Sequence, residues 1–344
     1  MSPHRDPIER AADRDRDLYE IATWEPRTEF DGIAVAVYEG LRPAARWAVV
    51  TVALVVTLGL FVFGGLATVT NPVVGTFVLL SIVPALLLAI YVYRSDVTTQ
   101  EPLALLAGTF LLAILFSTFA SIVNTLTSTA FGAVGLPTDA FPGALLFFLF
   151  VVGPGEEFVK WLAVKMYAYR QTEFDAVIDG AVYGAVAGLG FATIENAFYI
   201  TQFIESTSQV PIIDAGSNIA AVRALAGPGH VIYSAIAGFY LGLAKFNREH
   251  YGPIVVKGLL LAALFHATYN ITVNAAPAVI EVFTPLGGFE SSIAYIVLYD
   301  TLIGLFLYRK LRRYKREYRS VGVSADREAE RRSELAEFDE PPRY

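Results

Sequence analysis

Residues 142–168 read PGALLFFLFVVGPGEEFVKWLAVKMYA. The run is long enough to cross a bilayer, which takes about 20 mainly apolar residues. It also carries Glu156, Glu157 and Lys160 well away from its ends. A soluble helix would place such charges along one face toward water. Here they interrupt an otherwise apolar segment, and the sequence around it decides which environment applies. Residues 47–308 hold 15 Asp/Glu and 8 Lys/Arg, or 23 charges in 262 residues, while the other 82 residues hold 36. A soluble domain has about a quarter of its residues charged. The central block is therefore a membrane domain between two polar tails.

Eight stretches reach spanning length: about 47–67, 73–93, 103–131, 142–168, 176–204, 219–247, 254–276 and 289–308. The expected fold is an all-α, polytopic integral membrane helix bundle of about eight transmembrane helices, in the cell membrane. Residues 1–46 form an N-terminal tail, 47–308 the membrane domain, and 309–344 a basic anchor followed by a polar, disordered tail. Residues 31–41 are a candidate interfacial helix. The first 46 residues hold 10 acids and 7 arginines and no apolar run, so no cleavable signal peptide is expected. Arg42, Arg46, Arg94, Lys165, Arg170, Lys245, Arg248 and Lys257 fall on alternate loops, and 309–319 (RKLRRYKREYR) follows the last span. Basic residues collect on the cytoplasmic side, which puts both termini there. Arg223 is the one basic residue on the opposite loops.

The chain has no cysteine, which excludes disulfides, thiolate metal sites and a cysteine nucleophile. A net charge of −7 argues against nucleic acid as a partner.

An unpaired charge at the bilayer centre costs roughly 2.5–3.5 kcal/mol. Glu156, Glu157, Lys160 and Glu195 together reach about 10 kcal/mol, comparable with the net stability of a domain. Glu156 and Lys160 are four apart and share a helix face, so they are expected to pair. One lysine still cannot neutralise three glutamates. Asn196 follows Glu195, and the spans that follow add His230, His266 and Asn270. Gly-Pro-Gly occurs at 153–155 and at 227–229, directly before Glu156 and His230. Each copy is expected to break its span and line a water-accessible cavity. Glu173, Asp175 and Asp179 lie near a span end and are expected to be solvated.

Two histidines and a carboxylate with an open position are the donor set of a catalytic zinc, and a further carboxylate supplies a general base. No HExxH helix is present, so the ligands would come from separate spans. Mid-membrane carboxylates and histidines also serve proton- or ion-coupled transporters, the alternative function. A symmetric repeat of interrupted segments, common in transporters, is not evident.

Four blocks resemble one family: EEFVK at 156–160, DGAVYGAVAGLGFATIEN at 179–196, AGPGHVIYSAIAGFYLG at 226–242 and FHATYN at 265–270. DVTTQEP at 96–102 is similar to its short Asp…Glu-Pro loop. Together they resemble the PrsW family of intramembrane proteases and, more distantly, the CAAX prenyl endopeptidases. The resemblance implies metal-dependent hydrolysis of membrane-anchored protein substrates within the lipid bilayer, as in site-one cleavage of anti-sigma factors. It makes Glu156 and Glu157 the catalytic pair and His230 the essential histidine. Glu195 stands where the CAAX relatives have a histidine. The resulting expectation has Glu156 as general base and Glu157 assisting. Glu195, His230 and His266 would bind Zn2+, and Asn270 would stabilise the oxyanion.

Overall fold

The computed structural model describes residues 6–13, 15–39, 71–98, 100–207 and 209–338, with side chains to 322. The expected span at 47–67 lies outside the described residues. Those described are helical throughout, apart from loops and one isolated bridge between Tyr19 and Thr23. The helices are α1 (Pro7–Ala11), α2 (residues 29–39), α3 (Pro72–Tyr93), α4 (Leu103–Ala133), α5 (Gly143–Phe147) and α6 (Gly153–Met166). They continue with α7 (Val177–Ser206), α8 (Ile212–Phe246), α9 (Tyr251–Thr272), α10 (Ala276–Phe283) and α11 (Gly288–Phe338). Six are long and apolar enough to cross a membrane: α3, α4, α7, α8, α9 extended back to Arg248, and α11 as far as Gly322. A seventh path, 143–166, is also continuously helical but built in three pieces. α5 passes into a π-helical turn at Phe148–Val152, and α6 follows directly.

α7 is the central helix, with 83% of its most apolar window buried against 22% in α3 and in α11. Its burial depends on glycine. A Cβ at Gly180, Gly184 or Gly188 would lie 2.1–2.3 Å from the carbonyl oxygens of Gly238, Ser234 and His230 on α8. In return, a Cβ at Gly238 would strike Gly180 O. The four-residue spacing of small residues lets the two backbones touch, which is how helices associate in lipid, where apolar burial gives no net drive. It also presses the backbone of His230 against α7.

The expected breaks at the two Gly-Pro-Gly copies do not form. At 153–155 the helix absorbs the irregularity as the preceding π turn, and Gly153 sits so close to α9 that a Cβ would lie 2.7 Å from Ala263 O. At 227–229, α8 runs straight through Pro228. Asn196 Nδ2 reaches Arg223 O at 3.3 Å in the turn before that proline, so α7 is tied to α8 by a cross-helix hydrogen bond there.

The N-terminal segment, expected to be a solvated tail, docks on one end of the bundle. Ile8, Leu18, Ile21 and Trp24 are buried. Asp6 Oδ2 accepts from Val177 N and from the Tyr314 hydroxyl, both at 3.0 Å. Lys257 binds Glu20 and Asp31, and Lys310 Nζ lies 3.1 Å from Glu20. α11 continues to Phe338, through most of the segment whose composition predicts disorder.

Candidate active site

Five helices bring the costly residues together. α6 supplies Glu156, Glu157 and Lys160, α7 Glu195, α8 His230, α9 His266, and α4 adds Asn124. Glu157 is fully buried and its oxygens are taken. Oε1 accepts from Lys160 Nζ at 2.6 Å and from His266 Nδ1 at 2.9 Å, and Oε2 accepts from Ser234 Oγ at 3.4 Å. A carboxylate can only accept here, so His266 Nδ1 carries the proton and its Nε2 presents a lone pair in the neutral ring. The Tyr233 ring, with centroid 5.5 Å away, stacks on His266 and helps fix its plane.

The expected Glu156–Lys160 pair is not formed. Lys160 turns three residues back to Glu157, stands 3.0 Å from His230 Nδ1, and lies over the Phe191 ring. This leaves Glu156 differently placed. Its Oε1 accepts from Asn124 Nδ2 at 2.9 Å. Its Oε2 is buried without a hydrogen-bond partner and faces His266 Nε2 at 3.7 Å. One donor atom each from Glu156, His230 and His266 lie within 4.8 Å of one another. A buried orphan oxygen beside two imidazoles fits a divalent cation with nitrogen and oxygen ligands.

Glu195 is close but differently engaged. Its Oε2 lies 2.7 Å from His230 Nε2 and accepts from Arg223 Nη2 at 2.5 Å, and Arg223 Nε binds Asn196 Oδ1 at 2.9 Å. Arg223 is therefore a half-buried counter-ion and no loop residue: it lies on α8 (Ile212–Phe246), and inside the expected 219–247 span as well. This accounts for the one exception in the charge pattern. Asn196 also bonds Ser81 on α3, as interhelical glue. Asn270 sits one turn beyond His266, half-buried and without a hydrogen-bond partner among the described residues. Asp179 is buried, in contrast to the expected solvation, whereas Glu173 and Asp175 are exposed.

Asn124, Arg223 and Asp300 were not legible as site neighbours. Asn124 is the one asparagine among the serines and threonines of a long apolar span, which reads as glue. Arg223 was visible only as a violation of the loop pattern. Asp300, on α11, has both oxygens buried and lies against Gly229 and Tyr233; its signal was a lone charge near the middle of the expected 289–308 span.

Residues 101–303 match the model of a family described as PrsW family intramembrane metalloprotease. The chain is 33% identical over 191 residues to Protease PrsW of Geobacillus kaustophilus, covering 55% of this chain and 76% of the relative. It is 31% identical to Protease PrsW of Halalkalibacterium halodurans, covering 55% and 80%. It is 29% identical over 197 residues to Protease PrsW of Bacillus subtilis, covering 56% and 76%. No solved structure matches. The same buried carboxylates and histidines suit transport or hydrolysis, and the family decides for hydrolysis: the chain belongs to the PrsW family of intramembrane metalloproteases and is a multi-pass membrane protease.

Proposed function

We propose that Glu156, His230 and His266 hold the catalytic metal, that the metal is zinc, and that the chain cuts peptide bonds of membrane-anchored proteins. The observation that carries this is the orphaned Glu156 Oε2 facing His266 Nε2, with His230 within the same 4.8 Å group. Two histidines and one carboxylate from separate helices are a zinc donor set with a position left open. Bound there, zinc supplies a nucleophile at neutral pH by acidifying water, and polarises the scissile carbonyl.

The chain's own residues do the rest. Glu157 holds the proton of His266 on Nδ1, the outer carboxylate that orients a metal-binding imidazole. Lys160 balances the charge of Glu157 and keeps it from competing for the cation. Glu195 already binds Arg223, whose positive charge opposes a second cation there. We therefore assign Glu195, not Glu156, as the carboxylate that takes the proton from the attacking water and passes it to the leaving amine. Asn270 Nδ2 has no competing partner among the described residues and donates to the developing oxyanion. As the new C–O bond forms and the C–N bond breaks, the amine leaves with the proton held by Glu195.

The site belongs to a membrane domain of eight crossings with both termini cytoplasmic. Supporting this are the six long helices, the three-part path at 143–166, the apolar run at 47–67, and the basic run at 309–319. The N-terminal segment and Lys310 meet at the same end of the bundle, as that topology requires.

The test is cleavage of a membrane-anchored substrate by the chain reconstituted in liposomes. The wild type cuts, exhaustive chelation stops it, added zinc restores it, and Glu156→Gln is inactive. Cleavage that survives both chelation and Glu156→Gln would overturn the reading.

A further inference from the structure

A second group of acids lies away from the active site, where the loop between α3 and α4 meets the first turn of α7. Asp96, Glu101 and Asp179 each offer an oxygen within 4.8 Å of the others. Each carboxylate has one oxygen held by the protein. Asp96 Oδ1 accepts from Thr98 N and Oγ1, at 2.8 and 2.6 Å. Asp179 Oδ2 accepts from Asp175 N and Ala176 N, both at 2.7 Å. Glu101 Oε2 accepts from the Tyr183 hydroxyl.

The opposite oxygens are left over. Glu101 is only 3% exposed, and its Oε1 is buried with no partner. Asp96 Oδ2 is likewise buried with no partner. Asp179 Oδ1 has a long 3.4 Å contact from Thr98 Oγ1. Among the described residues none of the three forms an ion pair. Lys245 spends its donors on the carbonyls of Tyr169, Gln171 and Phe174. Buried polar atoms nearly always have partners, and clustered carboxylates repel. An orphan oxygen on a buried glutamate is a separate sign from the clustering itself.

We propose that Asp96, Glu101 and Asp179 bind a hard divalent cation, Mg2+ or Ca2+, at a site distinct from the catalytic metal. An all-oxygen donor set without histidine suits these ions and not zinc. Three protein oxygens leave positions for water, which both ions retain. The cation staples the α3–α4 loop to the start of α7. Sixteen residues on, about 24 Å along the same helix, α7 carries Glu195. The inference does not depend on the assignment of the catalytic ligands.

The test is thermal unfolding of the full chain as purified in detergent, titrated with MgCl2 or CaCl2 against NaCl of equal ionic strength. At a hundredfold excess over Kd the wild type gains about 5 °C, and the ion acting at lower concentration is the preferred one. Glu156→Gln gains the same. Glu101→Gln and Asp96→Asn gain nothing. In cation-free buffer both variants are at least as stable as the wild type, because each removes one of the crowded charges, so a failure to fold does not obscure the result. A wild type that responds to neither cation overturns the proposal and leaves a proton shared among the acids. A response that persists in both variants overturns it as well.

Discussion

At the scale of single residues, the arrangement turns on which carboxylates are already occupied. Glu157 has three donors, Glu195 has an arginine and a histidine, and Glu156 has one asparagine and a free oxygen. Lys160 is the only cation on Glu157 among the described residues. Lys160→Met therefore leaves a buried charge without its partner, and the expected cost is about 3–5 kcal/mol. Adding Glu157→Gln should recover a large part of it, and thermal unfolding of the single and double variants in detergent measures the coupling. Additive losses would show that the pair is not coupled. The sequence exposed which residues were costly, because a charge in an apolar run needs a reason. It did not expose their roles. Glu156 and Glu157 are adjacent and chemically identical, and only the contacts of each oxygen separate them. The spacing rule favoured Lys160 with Glu156, but His266 and Ser234 arrive from other helices and draw Glu157 into the lysine's reach.

At the scale of elements, hydropathy located α3, α4, α7 and α9 to within a few residues, because length and apolarity are what a bilayer selects. It could not tell how a proline or glycine is accommodated, since that depends on the neighbouring helix. The glycines divide into two kinds. Gly184 faces Ser234 O, where a Cβ would lie at 2.2 Å, and Gly153 faces Ala263 O at 2.7 Å. Gly155 faces open space. Gly184→Leu and Gly153→Ala are expected to force helices apart and lower both stability and cleavage. Gly155→Ala should remain folded, and slightly more stable because alanine is the better helix former. Unfolding midpoints and cleavage rates of the three variants check this. Equal loss in all three would mean that Gly-Pro-Gly serves flexibility and not close packing.

At the scale of the whole molecule, the N-terminal segment closes one end of the bundle. Its contacts join residues far apart in the chain, 171 positions for Asp6 with Val177 and 290 for Glu20 with Lys310, so no local pattern announced them. The titrations within it run in opposite directions. Burial pushes the Asp6 carboxyl up to about 6, despite the amides of Val177 and Ile8. Its docked form prefers the proton, so docking strengthens as pH falls from about 6 toward the ordinary aspartate value. Burial also opposes ionisation of Glu20 and Asp31, but Lys310 and Lys257 outweigh it for Glu20, and Lys257, Tyr19 and Thr28 outweigh it for Asp31. Both are held below their ordinary values, so the stability they add is present above those values and is lost as pH falls further. Docking should be tightest near pH 4, weakening as pH rises toward 6 and again as it falls further. Emission from the buried Trp24, with Trp47 and Trp161 replaced by Phe, follows it. A change in one direction only from about pH 7 down to about pH 3 would contradict the opposed titrations.

The central claim, that Glu156 and not Glu195 completes the metal site with His230 and His266, is tested most directly by metal analysis of purified variants. The wild type should hold about one zinc per chain in that site. Glu195→Gln should keep the metal and lose cleavage, whereas Glu156→Gln and His266→Ala should lose both. Metal retained in Glu156→Gln but absent from Glu195→Gln would contradict the assignment.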